Sequence, residues 1–389
     1  MRIAGIGCPF KTSYGEYFQC LRESMEQLTG DEVRWVASNC GCGDDAEIAR
    51  DFQMPGRCEY FEMQHVRDYA SNTPWKRHLR QTARSLFFYP RAWRYTRMTS
   101  TSEVAHFQQT LHAYGSTALF HWLNTSSPAA RVVTVHELDA QQLATPRLNR
   151  TYNRADAVIV HCKAVKRQLI DLGVDEDRIH VVLHGTHYPD LSYHAERKGI
   201  VFYGGHKLMK NKGLQSLLGA MAMLRQRLGE RLPTLTVHGH YAVEAPDEAK
   251  QLAATLGISD KVRWLDHLTP AAMLQEYATS MMCVLPFAGS FAGLPAAAAA
   301  ATGLPVIGTE TAGLPDHLDN LGLWVEAGNT AQLADRIAAL LDNAPQREEL
   351  FSKLRERARQ HLRWEIIAQQ TLDVYGQARL RHGLRSSAA

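Results

Sequence analysis

The stretch Pro286–Leu318, PFAGSFAGLPAAAAAATGLPVIGTETAGLPDHL, decides the fold. It lies in a longer run, Tyr277–Thr309, that contains no Asp, Glu, Lys or Arg. That run exceeds the ~20 apolar residues a membrane-spanning helix needs. Pro286, Gly289, Gly293, Pro295, Gly303 and Pro305 interrupt it at short intervals. Proline lacks the backbone donor and glycine favours turns, so the run divides into strand, loop, helix and strand. A charge-free unit of this kind belongs inside a parallel α/β sheet covered on both faces.

The same alternation continues outward. Strands are predicted over Arg2–Ile6, Val33–Ala37, Val104–Gln108, Arg131–His136, Ala157–His161 and His180–Leu183. Five more follow over Gly199–Tyr203, Thr234–His238, Val262–Leu265, Met282–Leu285 and Val306–Gly308. Helical segments such as Tyr17–Leu28, Lys163–Leu172, Leu214–Arg227 and Gln346–Gln360 lie between them. No fixed-period repeat is visible, which disfavours a solenoid. The polar stretch 187–199, with Pro189, separates two runs of strand–helix units. The expected division is 1–188, 189–360 and a final helical segment 361–389. Ligands of open α/β sheets bind beyond the C-terminal strand ends, so two facing domains of this class are expected to enclose a cleft.

Composition narrows the function. The 389 residues carry 43 Lys+Arg and 40 Asp+Glu, a net charge of +3, with 45% hydrophobic residues. These values exclude wholesale disorder and argue against a dedicated nucleic-acid binder. The seven cysteines are odd in number, and only Cys40 and Cys42 form a tight pair. No Cys or His pair matches it at zinc-finger spacing, so a reducing cytoplasm without structural zinc is the expected setting. The N-terminal MRIAGIGCPFK is too short in apolar residues for a signal peptide and reads as a first strand.

Three places carry chemistry. Gly204 and Gly205 follow a strand and open a loop that bears Lys207, Lys210 and Lys212. Glycines let the backbone approach a phosphate and lysines neutralise it, although a plain turn with solvated lysines has the same spelling. Gly289 to Leu294 then leads into the alanine run Ala296–Ala301. A small-residue loop entering a helix offers backbone N–H groups at the positive dipole end, and the same residues also suit tight helix–sheet packing. His136 ends an apolar strand, where it is either a site group or a structural histidine.

Four segments in order resemble bacterial GT-B glycosyltransferases of family 4. They are Val132–Ala140, Ala155–His187, Ile200–Met221 and Pro286–Leu318. The resemblance implies a GT-B-like α/β fold, two Rossmann-type domains with parallel sheets facing a cleft and a final helix crossing back to the first. It implies a retaining transfer of a sugar from a nucleotide-sugar donor to a glycan or lipid-linked acceptor in polysaccharide biosynthesis, without protein-bound metal. Carried over by resemblance, His136 lines the cleft near the transferred sugar. Gly15 matches an N-domain glycine loop between first strand and first helix. Gly205, Lys207 and Lys212 belong to the diphosphate loop, with His206 as the alternative first match. Ser290, Phe291, Ala292, Gly293, Leu294 and Ala298 fall on the donor signature.

The signature also departs from the family. Its two glutamates, eight positions apart, fall on Ser290 and Ala298, so both carboxylates are replaced. Glu310, beyond the next strand, is a possible substitute or a plain loop carboxylate. A glutamate restored at Ala298 is expected to fit at the cleft-facing start of the helix. The alternative to an enzyme is a degenerate, non-catalytic subunit that binds a glycan or protein partner; a phosphorylase or epimerase on the same fold is a third option. Finally, Trp75–Arg97 holds seven Lys/Arg and several aromatics with no acid. It is either a solvated basic helix or a docking element for anionic lipid at the inner membrane face.

Overall fold

The computed structural model describes residues 1–6, 13–30, 33–38, 59–61, 93, 96–97, 99–108, 120–121, 124, 126–136, 138, 148–193, 196–204, 212–239, 245–265, 268–289, 293–311 and 313–388. The chain forms two compact units. Unit 1 comprises 1–161, 165–182 and 368–389; unit 2 comprises 162–164 and 183–367.

Unit 1 is built on seven strands: β1 Ile3–Ile6, β2 Val33–Ser38, β3 Glu59–Phe61, β4 Val104–Phe107, β5 Ala130–Val135, β6 Ala157–Val160 and β7 Ile179–Val181. They pair in the order β3-β2-β1-β4-β5-β6-β7, and every pairing is parallel. Its described helices are α1 Ser13–Thr29, α2 Leu148–Tyr152 and most of α3 Lys163–Asp171. The chain order reverses between β1 and β4, the kind of switch point at which open sheets take ligands.

Unit 2 repeats the plan with β8 Ile200–Tyr203, β9 Leu235–His238, β10 Val262–Trp264, β11 Met282–Leu285, β12 Val306–Thr309 and β13 Leu323–Val325. The order is β10-β9-β8-β11-β12-β13, again all parallel. Its helices are α4 Leu214–Leu228, α5 Ala245–Thr255, α6 Pro270–Thr279, α7 Gly293–Ala301, α8 Leu314–Leu318, α9 Thr330–Leu341 and α10 Ala344–His361. The starts are written in the sequence: Thr269 caps α6 by accepting from the Ala272 N–H, with Pro270 following it. The charge-free stretch becomes β11, α7 and β12. Both strands are buried along their length, and Ala296–Ala301 are fully buried.

The last helix, α11 Trp364–Ala388, joins unit 1 from residue 368 onward. Tyr375 there is buried, and its Oη lies 2.5 Å from His106 Nδ1. Arg379 pairs with Glu103 at 2.7 Å and Arg381 with Asp177 at 3.0 Å. Two three-residue strands, β3 and β13, were not among the predicted elements. Among the described residues no helix is long and apolar enough to cross a membrane.

Candidate functional site

The switch point of unit 2 lies between β8 and β11, so the loops that leave these two strands define its ligand edge. The β8 loop ends in the turn Lys212–Gly213, which enters α4. Gly213 has φ +72°, in the left-handed region that glycine favours. A Cβ at Gly213 would stand 2.0 Å from the Pro286 carbonyl oxygen, so the turn is pressed onto the segment that leaves β11. Lys212 is buried, and its Nζ sits 4.2 Å from the centroid of the Phe287 ring. A desolvated ammonium over an aromatic face is held by the ring quadrupole. The Phe287 carbonyl accepts from Thr309 Oγ1 at 2.6 Å and from Thr311 Oγ1 at 3.0 Å, which ties the end of β12 to the same place.

Helix α7 begins six residues after Phe287. Gly293 is its first residue and Leu294 its second, the former buried and the latter half-buried. Ala298 is in the second turn and fully buried within the apolar core of unit 2. The expectation that a glutamate would fit there at an open helix start is corrected by this burial. Glu310 is exposed just past β12. Gly205, Lys207, Ser290, Phe291 and Ala292 lie outside the described residues, as does most of Trp75–Arg97. Within the latter, Trp93 is 60% exposed and the Arg97 guanidinium lies 5.9 Å from its ring.

In unit 1, Gly15 is the third residue of α1, not part of a loop ahead of it. The helix starts at Ser13, four residues earlier than predicted. His136 directly follows β5 and is buried. Its Nδ1 lies 3.1 Å from Nε2 of His161, which directly follows β6. The two rings are tilted with centroids 4.9 Å apart, and the Tyr17 ring of α1 meets both edge-on. Burial pushes the His136 pKa down to about 3; His106 adds to that shift and the Gln108 carbonyl opposes it. His106 is likewise held at about 3, by burial and then by His161. His106 Nε2 lies 2.7 Å from Thr134 Oγ1. A row of neutral imidazoles therefore lines one buried face of the sheet.

Sequence reasoning singled out His136 and missed His161, His106 and Tyr375. The signal for His161 was present, since VVTVH and AVIVH are two apolar runs that both end in histidine. Register makes them neighbours, because Val135 pairs with Val160.

Comparison with known proteins places both halves. Residues 21–188 match the family described as Glycosyltransferase Family 4, and residues 197–343 match Glycosyl transferases group 1. D-inositol 3-phosphate glycosyltransferase of Nocardia farcinica is 31% identical over 252 residues, 60% of this chain and 55% of that protein. The enzyme of the same name from Corynebacterium efficiens is 29% identical over 265 residues, 62% of this chain and 60% of its own. The chain thus spans less than two thirds of the length of either relative. Among solved structures, Anabaena HepE in complex with UDP and glucose superposes with a TM-score of 0.73 at 17% identity, covering 96% of this chain and 98% of that one. Sucrose-phosphate synthase from Thermosynechococcus elongatus gives 0.71 at 19% identity, covering 97% and 98%. At such identities the likeness is one of fold, and the fold is GT-B.

Proposed function

Since the chain belongs to the GT-B glycosyltransferases of group 1 and family 4, we propose that it is a retaining glycosyltransferase that moves a sugar from a nucleoside-diphosphate donor to a glycan or glycolipid acceptor. The observation that carries this reading is the packing of the Lys212–Gly213 turn on Pro286–Phe287. It joins the basic turn after β8 to the segment that enters α7, at the switch point of the sheet.

The chemistry follows from charge. When the bond from the sugar's anomeric carbon to the diphosphate breaks, negative charge builds on the leaving phosphate oxygen. A buried lysine and the unpaired N–H groups of a helix start stabilise such charge without reorganising. In this reading Lys212, the first turn of α7 and the residues Gly205, Lys207, Ser290, Phe291 and Ala292 grip the diphosphate. His136 meets the transferred sugar. The acceptor hydroxyl oxygen forms the new bond to the anomeric carbon, and its proton passes to the leaving phosphate. No protein-bound metal takes part. UDP-sugars come first among donors, because the structural relative HepE binds UDP and glucose.

A second reading, a subunit that has lost catalysis, is favoured by Ala298, which has no side-chain acceptor and is enclosed by apolar neighbours. Calorimetry and turnover with UDP-, GDP-, dTDP- and ADP-sugars separate the two. Saturable binding of one donor with release of its nucleoside diphosphate supports the transferase. Absence of both across the panel supports the second reading.

A further inference from the structure

A recess lies in unit 2 at the edge of the sheet opposite the loops that leave β8 and β11. Tyr193, Arg197, Met281, Gly303, Pro305 and Arg347 line it, around about 220 Å³ that opens to solvent. Met281 directly precedes β11, Pro305 directly precedes β12, and Arg197 belongs to the segment that leads into β8. These are the N-terminal ends of the strands. The length of the sheet therefore separates the recess from the edge that carries Lys212.

Arg197 is only 8% exposed. Its Nη2 donates to the Thr302 carbonyl at 2.9 Å, just past the end of α7. The Phe351 ring lies over the guanidinium, its centroid 5.0 Å from Cζ. The flat face carries no hydrogen, so the ring meets none of the donors. Nε and Nη1 have no hydrogen-bond partner. Together they bear three N–H hydrogens. Attraction to the C-terminal carbonyls of α7 accounts for Nη2 and leaves the other two nitrogens unexplained. Arg355 already serves the same helix end, donating from Nη1 to the Ala301 carbonyl at 2.7 Å. A buried charged donor left unmet is costly. Burial pushes the Arg197 pKa below its ordinary value; Tyr193 opposes that shift and Arg355 adds to it. No carboxylate enters this balance. The other cation on the wall, Arg347, donates from Nη1 to the Leu340 and Leu341 carbonyls at 2.5 and 2.8 Å, which leaves Nε and Nη2 for a further acceptor. Met281, Gly303 and Pro305 bring no charged or oxygen-bearing side chain to the recess.

We propose that this recess binds a small oxyanion, the carboxylate or phosphate group of a ligand held by Arg197 and Arg347. Guanidinium donors match both groups in geometry and charge. The site is independent of the donor reading, being at the opposite edge of the sheet.

The guanidinium itself reports the ligand. In 1H–15N spectra of the full chain labelled with 15N-arginine, the Arg197 Nε–H signal is assigned by its loss in Arg197→Lys. Sodium acetate and sodium phosphate are titrated at fixed ionic strength against a sodium chloride blank. A saturable shift of that signal in the millimolar range is expected with at least one of them. Tighter binding of acetate identifies a carboxylate ligand and tighter binding of phosphate a phosphorylated one; either upholds the site. Arg347→Gln changes only a half-buried wall residue and is expected to weaken the titration about ten-fold. That comparison stands even where Arg197→Lys fails to fold. No saturable shift with either anion overturns the proposal, as does an equal response to chloride. A titration unchanged by Arg347→Gln, or abolished in a folded Lys212→Met protein, places the anion elsewhere and overturns it too.

Discussion

Unit 2 backs its sheet with an alanine helix, whereas unit 1 lines one face of its sheet with histidines. Both are all-parallel sheets with a single switch point. In unit 2 the alanines of α7 are fully buried and bring only methyl groups to the core. In unit 1 the buried side chains include His106, Gln108, Thr134, His136 and His161, together with Tyr17 and Tyr375. Polar groups out of water are tolerated only when they are hydrogen-bonded, so the second solution demands far more of geometry. The contrast teaches that one architecture can give its ligand edge chemistry in two ways. On the proposed reading, unit 2 relies on backbone N–H groups and one lysine, and unit 1 on buried side chains.

Acid should break the comparison most sharply. In unfolded chain a histidine titrates near 6.5, while His106 and His136 in the folded protein titrate at about 3. Between these values the unfolded state binds protons that the folded state does not. The contribution is fully present above pH 6.5 and is lost as pH falls toward 3, at about 1.4 kcal/mol per pH unit for each group. Among the described residues of unit 2, His317 is lowered to about 4 by burial. Unit 1 is therefore expected to unfold at higher pH than unit 2, read by hydrogen exchange of strand amides. Loss of both units at one pH would contradict this.

Next in size is Ala298→Glu. An unpaired charge enclosed in the core of unit 2 should cost about 3–5 kcal/mol, seen as a lower denaturant midpoint. An unchanged midpoint would mean that the second turn of α7 opens to solvent. Lys212→Met should be milder for folding, since its apolar stem keeps its place over Phe287. Donor affinity should fall roughly ten- to hundred-fold, as expected for a lost charged hydrogen bond. Equal donor affinity in calorimetry would remove Lys212 from the diphosphate grip. The smallest effect on binding is expected for His136→Ala, which should reduce kcat while donor affinity stays within about two-fold. Parallel loss of both would point to a damaged fold in unit 1.

How much could be read beforehand differs between the units for the same reason. Glycine and proline punctuate 277–309 and are strong local signals, so β11 and β12 follow from the sequence to within a residue, while α7 starts three residues ahead of the alanine run. The edge strands Glu59–Phe61 and Leu323–Val325 are too short to display a period. Ala298 could not be placed by pattern, because an all-alanine helix has no polar side to orient it. The histidine that ends the apolar run VIVH was legible, but what it meets was not. Its meaning depends on the pairing of Val135 with Val160 and on the carbonyl of Val182, and residues so distant in sequence carry no spacing signal for such a meeting.

The passage of the chain out of unit 1 and back has a bearing on its synthesis. Apart from 162–164, unit 2 is one continuous stretch, 183–367, and is complete before residue 368 is added. Translation proceeds at ~5–20 residues per second, so the segment 368–389 follows over roughly one to four seconds. Until then Glu103, His106, Asp156 and Asp177 await Arg379, Tyr375, His382 and Arg381 in turn. The unit that begins first is thus finished last. The half built around the alanine helix is complete in sequence while the half with the buried histidines still lacks its closing helix.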